Sequence, residues 1–295
     1  MYPDYNESFK YNLRYKIQKI SPKCLYKRIL QYKYKQIFKR YLDFDNPRRL
    51  TEKIQWLKLN SNNKKTSLYS DKLWIKNYIR KNIPELKFAK VFQYGNKFED
   101  IKFNELPKEF VLKTNHAWKT NSFIFDKEKI TEKRRKLLKK SYNNVLKINY
   151  AFWSFYELQY EKIKPQIFAE EILNHTGYYS VLPSFEVYCL NGNPEFILHR
   201  NFTNNFEQKI YNTNWEPLNF NIDYGGNTQI QKPIFLEKML DYSIQLSKEF
   251  KFTRIDFFQV NEDLYFSEVT FTPYSGFIQF SPDIFDLYYG GKLLL

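Results

Sequence analysis

Two carboxylates, Asp256 and Glu268, carry the strongest chemical signal in the sequence. They lie in 253–260 and 264–271, two segments rich in β-branched and aromatic residues. This composition predicts the two strands of a hairpin. A three-residue loop at 261–263 would place Asp256 directly opposite Glu268, whereas a two-residue loop would break that register.

Carboxylates opposed in this way repel each other, and an aromatic setting makes their desolvation costly. A divalent cation offsets both effects, and Mg²⁺ is usually held by one or two carboxylates together with substrate phosphates. Arg254 follows on the same strand face as Asp256, where it can pair with the aspartate or stabilise a transferring phosphoryl group. The alternative is that one carboxylate points to solvent. Because the pair repels, loss of either carboxylate is expected not to lower the stability of the metal-free protein.

The elements that must position these groups follow from apolar periodicity and turn residues. Ser70 is the N-cap candidate of the second predicted helix, with Asp71 in its first turn. Asn191-Gly192 is a strong hairpin signal, and a polar loop joins two further strands. The predicted helices are 24–41, 70–81, 131–161 and 236–250, and the remaining predicted strands are 88–93, 110–113, 122–126, 166–173, 184–189 and 194–199.

The composition limits the class of protein and of partner. A hydrophobic fraction of 43% excludes a disordered chain, and the net charge of +15 favours anionic partners without choosing among them. No nucleic-acid module is recognisable, so no specific nucleic acid is expected. Cys24 and Cys189 form neither a metal motif nor a disulfide framework, and neither a signal peptide nor a membrane span is predicted. These features predict a cytoplasmic protein.

The predicted helix at 24–41 is basic and amphipathic. Its apolar residues recur at helical spacing, with lysines and arginines between them, and Asn46-Pro47 follows as a stop. Three interpretations remain open: a packed helix with a solvated basic face, a helix on an anionic membrane surface, or a nucleic-acid contact. The three histidines, His116, His175 and His199, are too dispersed to predict a zinc site.

Several blocks of the sequence resemble the TupA-like ATP-grasp family, and they follow one another in the family's order from Asn46 to about Leu295. The closing motif is RIDFF at 254–258 followed by YFSEVTFTPYSGF at 265–277. The upstream blocks are NPRRLTEKIQWLK at 46–58, Asp71-Lys72, LPKEFVLKTNH at 106–116 and AEEIL at 169–173. One block alone would be a weak signal, and the ordered set is specific.

The resemblance implies the ATP-grasp fold, an α+β architecture in which two lobes clamp ATP. It also implies a division of the chain into four parts. These are a basic amphipathic helical region at 1–45, an N-terminal region at 46–109, the ATP-grasp lid at 110–173, and the ATP-grasp core with the metal site at 174–295.

The resemblance further implies roles for individual residues. Asp256, Glu268 and Thr270 would hold Mg²⁺, with Thr270 standing where ATP-grasp enzymes usually have Asn. Arg254 would be catalytic and steady an acyl phosphate. The nucleotide would be bound by the side chain of Lys113 at its α- and β-phosphates, by His116 and Lys119 in the following loop, and by Glu170, Glu171 and Leu173 at its adenine.

The loop at 115–121 departs from the family, which usually has glycines there. Without glycine, its backbone is expected to stay in ordinary φ/ψ regions and to contact phosphates through lysine side chains. Glu186 also stands where the family usually has Lys. These departures leave open whether activity is retained.

The implied reaction is formation of an amide through an acyl phosphate, with ATP and Mg²⁺ as cofactors. The family association implies a uronic-acid carboxylate of a bacterial surface polysaccharide, on an anionic glycan or glycolipid acceptor, and an amino acid or amine. The alternatives are a glycosyltransferase of the same pathway, or a weakened homologue that acts as a binding protein. The expected location is the cytoplasm, with peripheral contact at the inner face of the membrane as an option.

Overall fold

The computed structural model describes residues 9–61, 64–173, 182–201, 207–223 and 230–295, and His175 lies outside them. The chain forms two compact units. Unit 1 comprises 1–21, 63–81 and 88–173, and unit 2 comprises 22–62, 82–87 and 174–295. The four-part division implied by the resemblance stays a prediction.

The described residues form helices and strands as follows. The helices are α1 (Phe9–Ile20), α2 (Tyr26–Phe38), α3 (Leu50–Asn60), α4 (Lys64–Ser70), α5 (Lys72–Asn82), α6 (Glu132–Val145), α7 (Leu236–Ser247) and α8 (Ile284–Lys292). The strands are β1 (Lys87–Phe88), β2 (Val91–Gly95), β3 (Phe110–Thr114), β4 (Ser122–Ile124), β5 (Ile167–Glu170), β6 (Ser184–Leu190), β7 (Asn193–Asn201), β8 (Glu207–Tyr211), β9 (Asn221–Ile222), β10 (Phe252–Val260), β11 (Asp263–Thr270) and β12 (Phe280–Ser281).

A four-stranded antiparallel sheet, in the order β2-β5-β3-β4, organises unit 1. Phe110 and Leu112 of β3 pack with Leu138 and Tyr142 of α6 in one buried cluster. Because side chains alternate along a strand, Lys113 projects from the opposite face of the sheet. The sheet therefore separates an apolar layer under α6 from a face that carries charge.

A six-stranded sheet in the order β1-β11-β10-β6-β7-β8 organises unit 2. Tyr188 of β6 and Phe196 of β7 pack with Leu50 and Ile54 of α3 and with Tyr289 of α8. Gly290 of α8 has no room for a side chain, because an added Cβ would lie 2.1 Å from the carbonyl oxygen of Arg48. The helices α3 and α8 are thus packed closely together on this sheet face.

The structure confirms the hairpins predicted from sequence. Strands β3 and β4 pair antiparallel, as do β6 and β7, and Asn191 and Gly192 form the turn between the latter pair with φ angles of 51° and 82°. Both angles lie in the left-handed region that two-residue hairpin turns require.

Two helix predictions are corrected. Ser70 ends α4, and Asp71 caps α5 instead, because its carboxylate accepts hydrogen bonds from the backbone N–H groups of Leu73 and Trp74 at 2.9 and 3.2 Å. The helix predicted over 131–161 ends at Val145, and short 3-10 turns follow because the aromatic residues there pack into the interior.

The predicted basic helix exists as α2, and its apolar side lies inside unit 2. Leu30 and Tyr34 are fully buried, and the Tyr34 hydroxyl is 2.8 Å from the Thr51 hydroxyl. Arg40, just after α2, forms an ion pair with Asp283, just before α8. These contacts favour the packed-helix interpretation. In the described part of the chain, none of the helices has the length and apolarity needed to span a membrane.

Candidate functional site

The β10–β11 hairpin places Asp256 directly opposite Glu268 and Arg254 opposite Thr270, as expected. The reason differs from the one expected. Val260 pairs with Asp263, so the loop has two residues, and a register shift beyond Asp256 leaves Ser267 without a partner on β10. The prediction that a two-residue loop would break the register was wrong, because this β-bulge restores it.

A third carboxylate joins the pair from the other side. Asp256 is also directly opposite Glu186 on β6. Residues paired across a sheet point to the same face, so Glu186, Asp256 and Glu268 form a row across three neighbouring strands. The sequence showed Glu186 only as a departure from the family pattern, because strands that lie 70 residues apart give no local signal of their pairing.

Arg254 lies within this row and contacts all three carboxylates. Its Nε and Nη2 donate to the two oxygens of Asp256 at 2.7 and 2.5 Å. Its Nη1 is 3.2 Å from Glu186, and its Nη2 is 3.9 Å from Glu268. The guanidinium therefore offsets much of the repulsion that the sequence predicted, and the fork-like contact with Asp256 is the strongest geometry available to it.

Burial controls protonation in the row. It raises the pKa of Asp256 to about 7, with Arg254 opposing the shift and Glu186 and Glu268 adding to it. Burial would lower the pKa of Arg254, but Asp256 and Glu186 raise it well above its ordinary value. Arg254 is thus a fixed positive charge, and the Asp256 carboxylate is easier to protonate than an exposed aspartate.

A second arginine extends the row. Arg200 of β7 has its Nε 3.4 Å from Glu186, and its Nη2 donates to the hydroxyl of Tyr274. Burial raises the pKa of Tyr274 to about 12, so the phenol stays neutral. Asp223 has its pKa raised by burial as well, with Tyr274 acting in the opposite direction. The Arg200 side chain is 17% exposed, so it is largely buried beside Glu186.

The loop that follows β11 is strained and held by α3. Tyr274 and Ser275 both adopt left-handed backbone conformations, with φ angles of 53° and 58°. The buried Lys58 ammonium donates to the Ser275 carbonyl at 2.9 Å, and the Gln55 amide donates to the same oxygen at 3.1 Å. Two successive non-glycine residues in this region cost on the order of 1–3 kcal/mol each. The clamp from α3 thus fixes Tyr274 beside Arg200.

The donor set fits Mg²⁺. Asp256 and Glu268 supply hard oxygen atoms on one face, with the Thr270 hydroxyl 3.5 Å from Arg254 beside them. Among the described residues no group of three or more His, Cys, Asp or Glu side chains has the arrangement of a metal cage. Mg²⁺ does not need such a cage, since one or two carboxylates plus phosphates and water complete its shell. The assignment of these three residues to the metal stays a prediction.

Unit 1 carries a separate charged centre on the face of its sheet away from α6. The Glu170 carboxylate forms ion pairs with Lys113 through one oxygen and with Lys76 of α5 through the other. Burial alone would raise the pKa of Glu170, but the two lysines outweigh it and hold the pKa below its ordinary value. Burial lowers the pKa of Lys76, partly offset by Glu170. The centre has two cations for one anion, which favours an anionic ligand.

The loop at 115–121 differs from its prediction. Lys119 has a φ angle of 55°, so this loop enters the left-handed region without a glycine, and the expectation of ordinary φ/ψ throughout was wrong. The Lys119 ammonium lies 5.4 Å from the Trp118 ring, and both side chains are exposed. Backbone hydrogen bonds from Lys72 and to Gln166 hold Asn115 at the base of the loop.

His116 lies in the interior. Its ring is almost fully buried and packs edge-on against Tyr150 at 5.3 Å, and burial lowers the pKa of His116 to about 4. The imidazole is therefore neutral at pH 7, and direct contact with a nucleotide requires the loop to rearrange. Glu171 directly follows β5, and its N–H donates to the Lys90 carbonyl. Leu173 is the last residue of the described range 64–173. The nucleotide roles of these residues stay predictions.

A family comparison decides which fold this is. Residues 52–294, most of the chain, match the model of the family described as TupA-like ATPgrasp. The chain belongs to the TupA-like ATP-grasp family. Its mixed helices and sheets are the α+β architecture of the ATP-grasp fold, as predicted. A comparison with curated protein sequences finds no match.

Solved structures similar to this TupA-like ATP-grasp protein include two ligases. One is D-alanine--D-alanine ligase from Bacillus anthracis complexed with ATP, at 15% identity and a TM-score of 0.41, covering 73% of this chain and 55% of that one. The other is L-amino acid ligase from Bacillus licheniformis, at 12% identity and a TM-score of 0.44, covering 82% of this chain and 54% of that one. The chain thus spans little more than half the length of either protein, and the family match assigns the fold.

Two site residues of this TupA-like ATP-grasp protein were not identified from its sequence. Lys76 was not singled out, and Glu186 was noted only as a departure from the family pattern. A signal for Lys76 was present, because it falls on the apolar side of α5 between Leu73 and Ile79, where a charge needs a partner.

Proposed function

We propose that the protein is an ATP- and Mg²⁺-dependent ligase that joins a carboxylate to an amine through an acyl phosphate. The observation that carries this proposal is the fork-like contact between Arg254 and Asp256, with Glu268 directly opposite, in a chain of the ATP-grasp family. This arrangement offers hard oxygen ligands and a fixed cation on one rigid sheet face, which is what transfer of a phosphoryl group to a carboxylate requires.

In this proposal the residues of unit 2 act on the reacting groups. Asp256 and Glu268, with Thr270 beside them, hold Mg²⁺, which when bound neutralises charge on the phosphates. Arg254 exchanges its contact with Asp256 for one with the transferred phosphoryl group. Its Nη1 keeps the contact with Glu186 during this exchange. The retained contact lets Arg254 exchange one anionic partner for another without becoming unpaired.

The residues of unit 1 bind the nucleotide in this proposal. The phosphates of ATP exchange places with the Glu170 carboxylate as the partner of Lys113, whose ammonium is partly exposed. Lys76 stays with Glu170, since it is almost fully buried. Lys119 adds a second exposed cation on the loop, and Glu170 to Leu173 hold the adenine.

The carboxyl substrate is proposed to be a uronic acid of a bacterial surface polysaccharide, and the nucleophile an amino acid or another amine. The net charge of +15 supports an anionic polymer as acceptor. The Arg200–Tyr274 pair, fixed beside the row by the Lys58 clamp, offers a donor set for a sugar carboxylate or hydroxyl.

The direct test is ADP formation by the purified protein with Mg²⁺, ATP, galacturonate or glucuronate oligosaccharides, and a panel of amino acids. We expect ADP and phosphate to form only when a carboxylate and an amine are both present, with an amide product seen by mass spectrometry. The glycosyltransferase alternative predicts instead that UDP-glucose or another nucleotide sugar is consumed and ATP is not. If the protein is a homologue that binds without activity, we expect it to bind ATP and to form no ADP. The Arg254→Lys variant is the matched control, because it keeps the charge and loses the fork.

A further inference from the structure

Helix α1 presents an apolar stripe to solvent. Leu13, Ile17 and Ile20 are 46%, 48% and 81% exposed. Their spacing of four and three residues places them on one face of the helix. A contiguous apolar stripe that is exposed on a helix is typical of an interaction site.

The opposite face of α1 is fixed to unit 1, so the stripe has a defined direction. The Tyr15 ring lies 5.7 Å from the Trp153 ring, and the Arg14 Nη2 donates to the Trp153 carbonyl at 3.0 Å. Gln18, between these residues and the end of the helix, is buried. The inward face is thus occupied, and the apolar stripe faces away from the packed side.

The charge of the segment that carries the stripe is of one sign. From residue 8 to residue 21 the sequence contains four lysines and arginines and no aspartate or glutamate. Lys16 and Lys19 lie along one edge of the stripe on α1 itself, with the Lys19 ammonium 5.8 Å from the centroid of the Tyr15 ring, and both are exposed. An apolar stripe bordered by lysines is the pattern of a helix that lies in the interface of an anionic bilayer.

We propose that α1 docks this protein on an anionic membrane surface, with Leu13, Ile17 and Ile20 entering the headgroup region and Lys16 and Lys19 contacting lipid phosphates. The docking element is α1 and not α2, whose apolar side is buried in unit 2. This inference does not rest on the proposed ligase activity, and a soluble substrate would leave it unchanged.

Charge distinguishes the membrane from a second copy of the chain as the occupant. Two copies joined through α1 would bring two cationic helices together, with no acidic residue on α1 to pair with them. Like charges held close in this way oppose association. Binding to an anionic lipid surface instead becomes more favourable with each lysine.

The test is sedimentation of the full chain with phosphatidylcholine vesicles, alone or mixed with phosphatidylglycerol. We expect binding to the mixed vesicles only, with release at high salt because exposed charges are screened. Lys16→Gln and Lys19→Gln should each weaken vesicle binding by about fivefold. The triple variant Leu13→Ser/Ile17→Ser/Ile20→Ser should weaken it by more than about tenfold.

The matched control is a triple variant on a second exposed apolar surface, formed by α8 and the residues after it. Ile284, Leu287 and Leu294 are 61%, 37% and 63% exposed, and serine at these three positions should leave vesicle binding unchanged. The proposal is overturned if the wild-type protein does not bind mixed vesicles, if the α1 triple variant binds like wild type, or if the α8 variant alone loses binding. Self-association that the α1 variant abolishes, without vesicle binding, would assign the stripe to a second copy instead. Circular dichroism checks that each variant is folded.

Discussion

Asp256 on β10 lies directly opposite Glu268 on β11, and the pair keeps this register because a bulge at Ser267 compensates for a two-residue turn. Bulges that re-aim a side chain are common next to functional sites. Arg254 contacts both carboxylates but binds them unequally, with hydrogen bonds to Asp256 and a distance of 3.9 Å to Glu268. The two acids are therefore paired at one register position, but Asp256 interacts more strongly with Arg254 than Glu268 does.

The two positions predict the effects of Asp256→Asn and Glu268→Gln. Asn at 256 removes a buried charge whose pKa is raised by burial, and Glu186 and Glu268 still face Arg254, so the free energy of unfolding without Mg²⁺ should not fall above neutral pH. Gln at 268 should change it by less than about 1 kcal/mol, because the Glu268 side chain is 32% exposed. Both variants should lose Mg²⁺-dependent ATP turnover. Denaturant titration and an ADP assay measure the two effects. A clear stability loss in Asp256→Asn, or turnover retained in both, would contradict the assignment. The expectation from sequence, that neither change lowers stability, stays a prediction.

Glu170→Gln should destabilise the protein by about 3 kcal/mol, because it leaves the buried Lys76 without its carboxylate. Adding Lys76→Met to Glu170→Gln should recover part of this loss, since the unpaired charge is then gone. Lys113→Met should have a smaller effect on stability, because its side chain is partly exposed, and should lower ATP affinity by about tenfold. Urea titration of the single and double variants and ATP calorimetry are the measurements. If the double variant is no more stable than Glu170→Gln, the coupling is absent.

Lys119 allows the loop conformation and the lysine charge to be tested separately. Lys119→Gly relieves a left-handed backbone conformation that costs about 1 kcal/mol, whereas Lys119→Ala keeps that cost. The glycine variant should therefore be the more stable of the two. If the ammonium binds phosphate, both variants should lose ATP affinity equally, by one to two decades (about 1.5–3 kcal/mol). Trp118 fluorescence reports loop ordering on addition of Mg-ATP. ATP affinity that is restored in the glycine variant would show that the backbone, and not the side chain, contacts the nucleotide.

Asp286 predicts a pH dependence of stability. Burial raises its pKa to about 6, against 3.8 in the ordinary state, with hydrogen bonds from Thr51 and the charge of Arg49 opposing the shift. The folded protein therefore binds a proton more tightly than the unfolded chain, so the contribution of Asp286 to stability rises as the pH falls from about 7 to about 4. The full change is on the order of 3 kcal/mol.

Asp286→Asn is the matched variant for this effect. It should be more stable than wild type near pH 7.5, and the difference should shrink towards pH 4.5, where Asp286 is protonated. Denaturant titrations of both proteins across this range give the difference directly, so contributions from other groups cancel. A difference that is constant with pH would show that Asp286 keeps an ordinary pKa in the folded protein.

The sequence by itself was sufficient to predict the features that depend on residues close together in the chain. The hairpins β3–β4, β6–β7 and β10–β11 were predicted because each joins strands that are consecutive in the chain, and their turn residues lie between them. Asp256, Glu268 and Arg254 were identified for the same reason, since one hairpin carries all three. The ordered family blocks were also readable from sequence, and the family match confirms them.

Tertiary structure decided which distant residues meet and which apolar faces are buried. Glu186 meets Asp256, and Lys76 meets Glu170, across long sequence separations that leave no periodic pattern to detect. The two basic N-terminal helices have similar composition, yet α2 buries its apolar side and α1 exposes its stripe. Amphipathic periodicity shows only that a helix has an apolar side. Whether protein or another phase covers that side depends on the surfaces that the rest of the chain places beside it.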